Sequence, residues 1–135
     1  MYLIDTNVWL ERLLGQEKAN EVGIFLDKIP SDQLYISDFS FHSIGIILSK
    51  LDRVHEFVKF IDDIFINGSV EIVNLNPEDI RKSVVPSIEK FKLDFDDAYQ
   101  YIAAEKYQLQ MISFDTDFDQ TDIRRKTPAE IVDKK

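Results

Sequence analysis

The chain contains no cysteine, so neither a disulfide framework nor a thiolate metal site can be built from it. A reducing cytoplasm is the expected compartment. Glycine and proline are scarce, four of each among 135 residues, and no segment is repetitive or compositionally biased, which argues against a linker, a disordered stretch or a fibrous repeat. Long apolar runs are missing too: the longest is "IGIIL", against the roughly 20 residues a membrane helix requires. The first residues carry no basic stretch and meet Asp5 and Glu11 early, unlike a secretory signal. There is no glycine-rich phosphate loop, no GxSxG elbow and no HExxH helix, which removes the commonest nucleotide-binding, serine-hydrolase and zinc-protease readings.

What the chain has in excess is acid. A net charge of −9 repels phosphate backbones, so any contact with nucleic acid must be local. Two basic clusters are available for it: Lys90 with Lys92, and Arg124, Arg125 and Lys126. The two histidines, His42 and His55, lack ligand spacing and read as structural or surface residues. With 44% hydrophobic and 12% aromatic residues, the chain reads as one domain over 1–135, long enough to bury about two thirds of its unfolded surface. Phe57, Phe60 and Phe65 fall at helical spacing and read as core or interface rather than a base-stacking platform.

Strand and helix patterns alternate along the chain. Strands are predicted at "YLID" (2–5), "QLYIS" (33–37), "VEIVNL" (70–75) and "MISF" (111–114). Helices are predicted over 7–14, 17–29, 38–51, 54–66, 76–91 and 96–108, with a last turn in "TPAEIVDKK". Ser37 or Asp38 caps the third helix, and Asn76 caps the fifth with Pro77 at its first position. Pro86 should kink or interrupt that helix. The alternation implies a three-layer α/β/α sandwich around a mostly parallel sheet, whose ligand sites form beyond the carboxyl ends of the strands. Asp5, Asp38 and Asp115 each stand just after a predicted strand.

Asp5, Asp97 and Asp115 carry the chemistry if the sheet gathers them, because like charges at close range require either protonation or a cation. Mg2+ or Mn2+ suits an all-carboxylate set and leaves positions for water and a substrate phosphate. Asp94 lies three residues before Asp97 and offers a second ligand on the same helix face, while Asp96 is expected to point elsewhere. Either Asp115 or Asp117 can serve as the ligand after the last strand. Each aspartate also has a plainer role as a helix cap or dipole partner.

These segments resemble the PIN domain ribonucleases, and within them the VapC-like toxins of toxin-antitoxin pairs. The likeness is carried by "LIDTNVWL" near the start and by "DDAYQYIAAEKYQLQMISFDTDF" near the end, and it spans nearly the whole chain. The resemblance implies that Asp5, Asp97 and Asp115 hold one or two Mg2+ or Mn2+ ions, with Asn7 and Ser113 as supporting polar residues. It also implies endonucleolytic cleavage of RNA, a homodimer, and an antitoxin partner whose C-terminal segment wraps the toxin.

One position departs from the family pattern. Where the family carries Glu in a Ser-x-x-x-x-x-Glu-Leu sequence, counting from Ser37 gives Ser43, with Asp38 or Asp94 as candidates to compensate. The leading expectation is therefore a metal-dependent ribonuclease of the toxin type. The alternative is a catalytically weakened PIN-like binding or regulatory module. A receiver-like or phosphatase reading with Asp5 as phosphoacceptor would need a nearby lysine, which the sequence does not supply.

Overall fold

The computed structural model describes residues 1–133. Four short strands, β1 (Tyr2–Ile4), β2 (Leu34–Ser37), β3 (Glu71–Val73) and β4 (Gln110–Ile112), form one sheet in the order β3-β2-β1-β4, and every pairing is parallel. Parallel strands cannot be joined by tight turns, so helical crossovers separate them and cover both faces. Successive side chains then enter opposite cores. Leu3 and Met111 pack on one face, while Ile4 and Ile112 pack on the other, all completely buried.

On the Ile4 face, helices α1 (Thr6–Leu13), α2 (Ala19–Lys28), α3 (Asp38–Lys50) and α4 (Val54–Ile61) contribute Val8, Trp9, Phe25, Ile44, Leu48 and Phe60 to one core. Trp9 meets Phe60 edge to face at 5.3 Å between ring centroids, an arrangement the ring quadrupoles favour. The helix predicted over 54–66 is α4 followed by a wider π-helical segment, Asp62–Ile66. On the Leu3 face lie α5 (Pro77–Asp79), α6 (Val85–Phe91) and α7 (Phe95–Lys106); Val84, just before α6, packs there with Ala98, Tyr101, Ala103 and Ala104 of α7. The result is the expected three-layer sandwich.

The structure refines several boundaries. β3 is three residues rather than six, and β4 begins one residue earlier than predicted. α5 and α6 run on through a π-helical segment at Ile80–Val84, so Pro86 widens the helix just before it instead of breaking it. Proline has no N–H to donate, and a wider turn is one way for a helix to accommodate that loss. Asn76 caps α5 through a reciprocal pair, its Oδ1 accepting from Asp79 N at 2.8 Å while Asp79 accepts from Asn76 N at 3.1 Å. The terminal turn becomes α8 (Pro128–Val132), and Lys134 and Lys135 of the predicted segment lie outside the described residues. Among the described residues no helix is long and apolar enough to cross a membrane.

Sequence order and strand order reverse at β1. The chain runs outward through β2 and β3, then returns to place β4 on the opposite side of β1. The crevice beyond the carboxyl ends of β1 and β4 is thus the topological switch point, where such sheets bind ligands.

Candidate functional site

Asp5 leaves β1 into that crevice and doubles as the N-cap of α1, its Oδ1 accepting from Thr6 N at 2.8 Å. Only 6% of the residue is exposed. Ser113, which follows β4, donates its hydroxyl to Asp5 Oδ2 at 2.6 Å and accepts from Asp115 N at 2.9 Å. Asn7 spans the same gap, with Nδ2 donating to Ser113 Oγ at 3.4 Å and Oδ1 accepting from Phe114 N at 3.3 Å. Two chain segments from opposite ends of the sequence are therefore stitched together at one point.

Asp97 arrives from the first turn of α7, where acids complement the exposed N–H groups of a helix start. Its carboxylate, with those of Asp115 and Asp117, offers three oxygens within 4.8 Å of one another. Asp5, Asp97 and Asp115 line one cavity of about 320 Å³, together with Asn7, Ser43, Asp96 and Gln100. None of the residues lining it is Lys, Arg or His.

The electrostatics follow. The Asp97 carboxyl is pushed up to about 7, first by burial and then by the negative charges of Asp115, Asp96, Asp5 and Asp117. Burial also raises Asp5, against the lowering effect of its bonds to Ser113, Gln100 and Thr6. A pocket of oxygen donors with crowded negative charge and no resident basic side chain fits a hard divalent cation of the Mg2+ or Mn2+ type.

Other residues sit differently from expectation. Asp96 faces the cavity rather than away from it, because the first turn of α7 presents both 96 and 97 at its rim. The exposed Asp94 stands at the N-cap outside the helix and does not line the cavity, although its oxygen lies within 4.8 Å of those of Asp96 and Asp97. Asp38 does not line the cavity either, and so does not replace the missing acid. Its Oδ1 accepts from the Tyr99 hydroxyl at 2.7 Å and from Phe39 N at 2.8 Å, which pushes Tyr99, already raised by burial, up to about 12. Ser43 does line it, as a neutral hydroxyl. Asp117 donates its N–H to Asp115 Oδ1 at 2.9 Å while its own carboxylate joins the acidic triad. His42 and His55 are exposed and away from the cavity.

One residue of each basic cluster is engaged away from the cavity. Arg125 is tied down: its Nη1 donates to the Ser113 carbonyl at 3.2 Å, and its guanidinium pairs with Asp119. Lys90 lies over the Phe91 ring at 5.0 Å and lines a separate cavity of about 510 Å³ with Lys106. That cavity is larger than the acidic one, but it lacks convergent donors of one chemical type.

Sequence reasoning missed Gln100. Its Nε2 donates to Asp5 Oδ1 at 3.0 Å and to Ser40 Oγ at 2.8 Å, while its Oε1 accepts from Ser37 Oγ at 2.5 Å. One signal was available: position 100 lies three residues after Asp97, one helical turn deeper into the fold.

Solved structures share this architecture. A toxin-antitoxin complex from Klebsiella pneumoniae aligns with a TM-score of 0.74 at 24% identity, over 95% of this chain and 98% of that one. The sarcin-ricin-loop-cleaving toxin VapC20 of Mycobacterium tuberculosis aligns at 0.78 and 15% identity, over 95% and 100%. FitAcB from Neisseria gonorrhoeae aligns at 0.71 and 21%, over 95% and 98%. At these identities the likeness concerns the fold. No curated protein matches by sequence. The PIN domain model matches residues 2–124, nine tenths of the sequence, and on that match the chain belongs to the PIN domain family.

Proposed function

We propose that this chain, acting as a single domain, is a metal-dependent endoribonuclease and the toxin of a toxin-antitoxin pair. The observation that carries the reading is the acidic crevice: Asp5 after β1, Asp97 on α7 and Asp115 in the turn after β4 line one cavity at the switch point, and none of its described lining residues is basic. Family membership supports it, as do the toxin-antitoxin complex and the sarcin-ricin-loop-cleaving toxin among the similar folds.

Asp5, Asp97 and Asp115 are the residues assigned to Mg2+ or Mn2+, with Asp117 beside them and Asn7 and Ser113 holding the turn. When bound, such a cation polarises a phosphodiester oxygen and lowers the pKa of an attached water. The protein's own part is positional and protonic. Ser113 and Thr6 hold the Asp5 carboxylate. Asp97, held near 7 by burial and its acidic neighbours, is the group from which a bound cation would displace a proton. Phosphate binding in an otherwise acidic pocket also depends on that cation, since the cavity lining offers no positive side chain. An antitoxin partner, a homodimer and a cytoplasmic location complete the proposal.

Ser43 favours a second reading, a PIN fold with weakened catalysis acting as a binding or regulatory module. A neutral hydroxyl where the family carries Glu leaves the cavity one negative charge poorer, which weakens the binding of a second ion most. Cleavage of a structured RNA with and without EDTA, comparing wild type with Asp5→Ala and Asp97→Asn, separates the two. Chelator-sensitive cleavage lost in both variants supports the nuclease. Metal-independent or absent cleavage overturns it in favour of the module.

A further inference from the structure

Gln100 is a buried amide, 1% exposed, with no role in the chemistry so far. Its two ends are not interchangeable. Oε1 accepts the Ser37 hydroxyl hydrogen at 2.5 Å, and Ser37 Oγ in turn accepts from Ser40 N at 3.0 Å. Nε2 spends one hydrogen on Asp5 Oδ1 and the other on Ser40 Oγ. Ser40 is itself within 2.7 Å of the Thr6 hydroxyl. Turning the amide over would place Oε1 against Asp5 Oδ1, two acceptors with no hydrogen between them, so one orientation is stable.

The count of lone pairs on Asp5 then becomes decisive. Oδ1 accepts from both Thr6 N and Gln100 Nε2, which uses its two in-plane acceptor positions. Oδ2 accepts from Ser113 Oγ alone and keeps one position open. The geometry points to Gln100 as a positioning residue, whose fixed amide locks the Asp5 carboxylate so that Oδ2 alone is left to meet a divalent cation. The inference rests on the metal-centre reading above and deepens it. Partners that orient a metal ligand from behind typically govern affinity by 10- to 100-fold.

The test is Mn2+ binding by the purified full chain without RNA, followed by electron paramagnetic resonance and calorimetry, for wild type, Gln100→Leu and Gln100→Glu. Circular dichroism and melting curves establish that each variant is folded. Gln100→Leu keeps the size but cannot donate, and its Mn2+ affinity is expected to fall about tenfold or more. Gln100→Glu turns a second carboxylate toward Asp5, so its metal-free form is expected to melt lower and to gain more from Mn2+ than wild type does. A purely packing role would not separate the two variants in this way. If wild type binds Mn2+ and folded Gln100→Leu binds within twofold of it, the positioning role is overturned and the metal-centre reading stands. If Gln100→Leu does not fold, a Gln100→Glu protein with wild-type affinity and wild-type thermal response overturns it instead. Wild type that binds no Mn2+ overturns both.

Discussion

The hydroxyl of Ser113 donates to Asp5 Oδ2 at 2.6 Å, joining the ends of two adjacent parallel strands that lie 108 residues apart in sequence. That bond sits at the bottom of the acidic crevice, shielded from water, where each hydrogen bond to a carboxylate counts for more than it does at the surface.

Removing the charge of Asp97 should stabilise the metal-free protein above neutral pH. Its folded-state pKa, about 7, lies above the ordinary 3.8, so the native state binds more protons than the unfolded state between those values. Wild-type stability should therefore fall as pH rises from about 4 to about 7. Asp97→Asn should flatten that fall and melt a few degrees higher than wild type at pH 8, while binding Mn2+ more weakly. Differential scanning calorimetry across pH checks the first part. An unchanged pH profile would contradict the crowding of charge around Asp97.

Cation binding should stabilise the folded chain. At free Mn2+ about 100 times its dissociation constant the gain is roughly 2.7 kcal/mol. For a chain of this size that amounts to a rise of several degrees in melting temperature, reversed by EDTA. Asp5→Asn should remove most of the rise, and a melting curve with added Mn2+ decides it.

Ser43→Glu should restore an acid to the cavity. The metal-free variant is expected to melt lower than wild type, because another negative charge joins a crowded site. Its Mn2+ stoichiometry is expected to rise from one to two, with faster RNA cleavage. Calorimetric titration reads the stoichiometry directly, and a value unchanged from wild type would count against Ser43 as the determinant.

Arg125→Ala tests the support behind the turn. Only 15% of the side chain is exposed, and it holds both the Ser113 carbonyl and Asp119. Losing these bonds should cost about 1–3 kcal/mol in urea unfolding. A cost near zero would mean that the turn is held without Arg125, by bonds such as those from Asn7.

Much of this was legible in the sequence. Asp5 announced itself as a carboxylate ending an apolar strand, and the burial of Leu3 and Ile4 on opposite faces agrees with a central parallel strand. The helices were found because their apolar faces repeat every three to four residues. Strand order was not readable, since the pairing of β1 with β4 depends on residues distant in sequence and leaves no local pattern. The orientation of Asp96 failed for a different reason: spacing from Asp97 locates a face only in the body of a helix, and these residues occupy its first turn. Gln100 was hidden because a buried amide and an exposed one look alike in a sequence. The tethering of Arg125 was hidden in the same way, since a run of basic residues reads as surface until its partners are known.

The placement of β1 at the centre of the sheet sets a schedule for synthesis. The first strand made must wait for the last, because β4 pairs along it and Ser113 and Asp115 follow that strand. Such distant pairing forms late and slowly in folding. A nascent chain that stops short of Ser113 and Asp115 therefore has Asp5 without its hydroxyl partner and one wall of the crevice unmade, whatever the state of its first three strands.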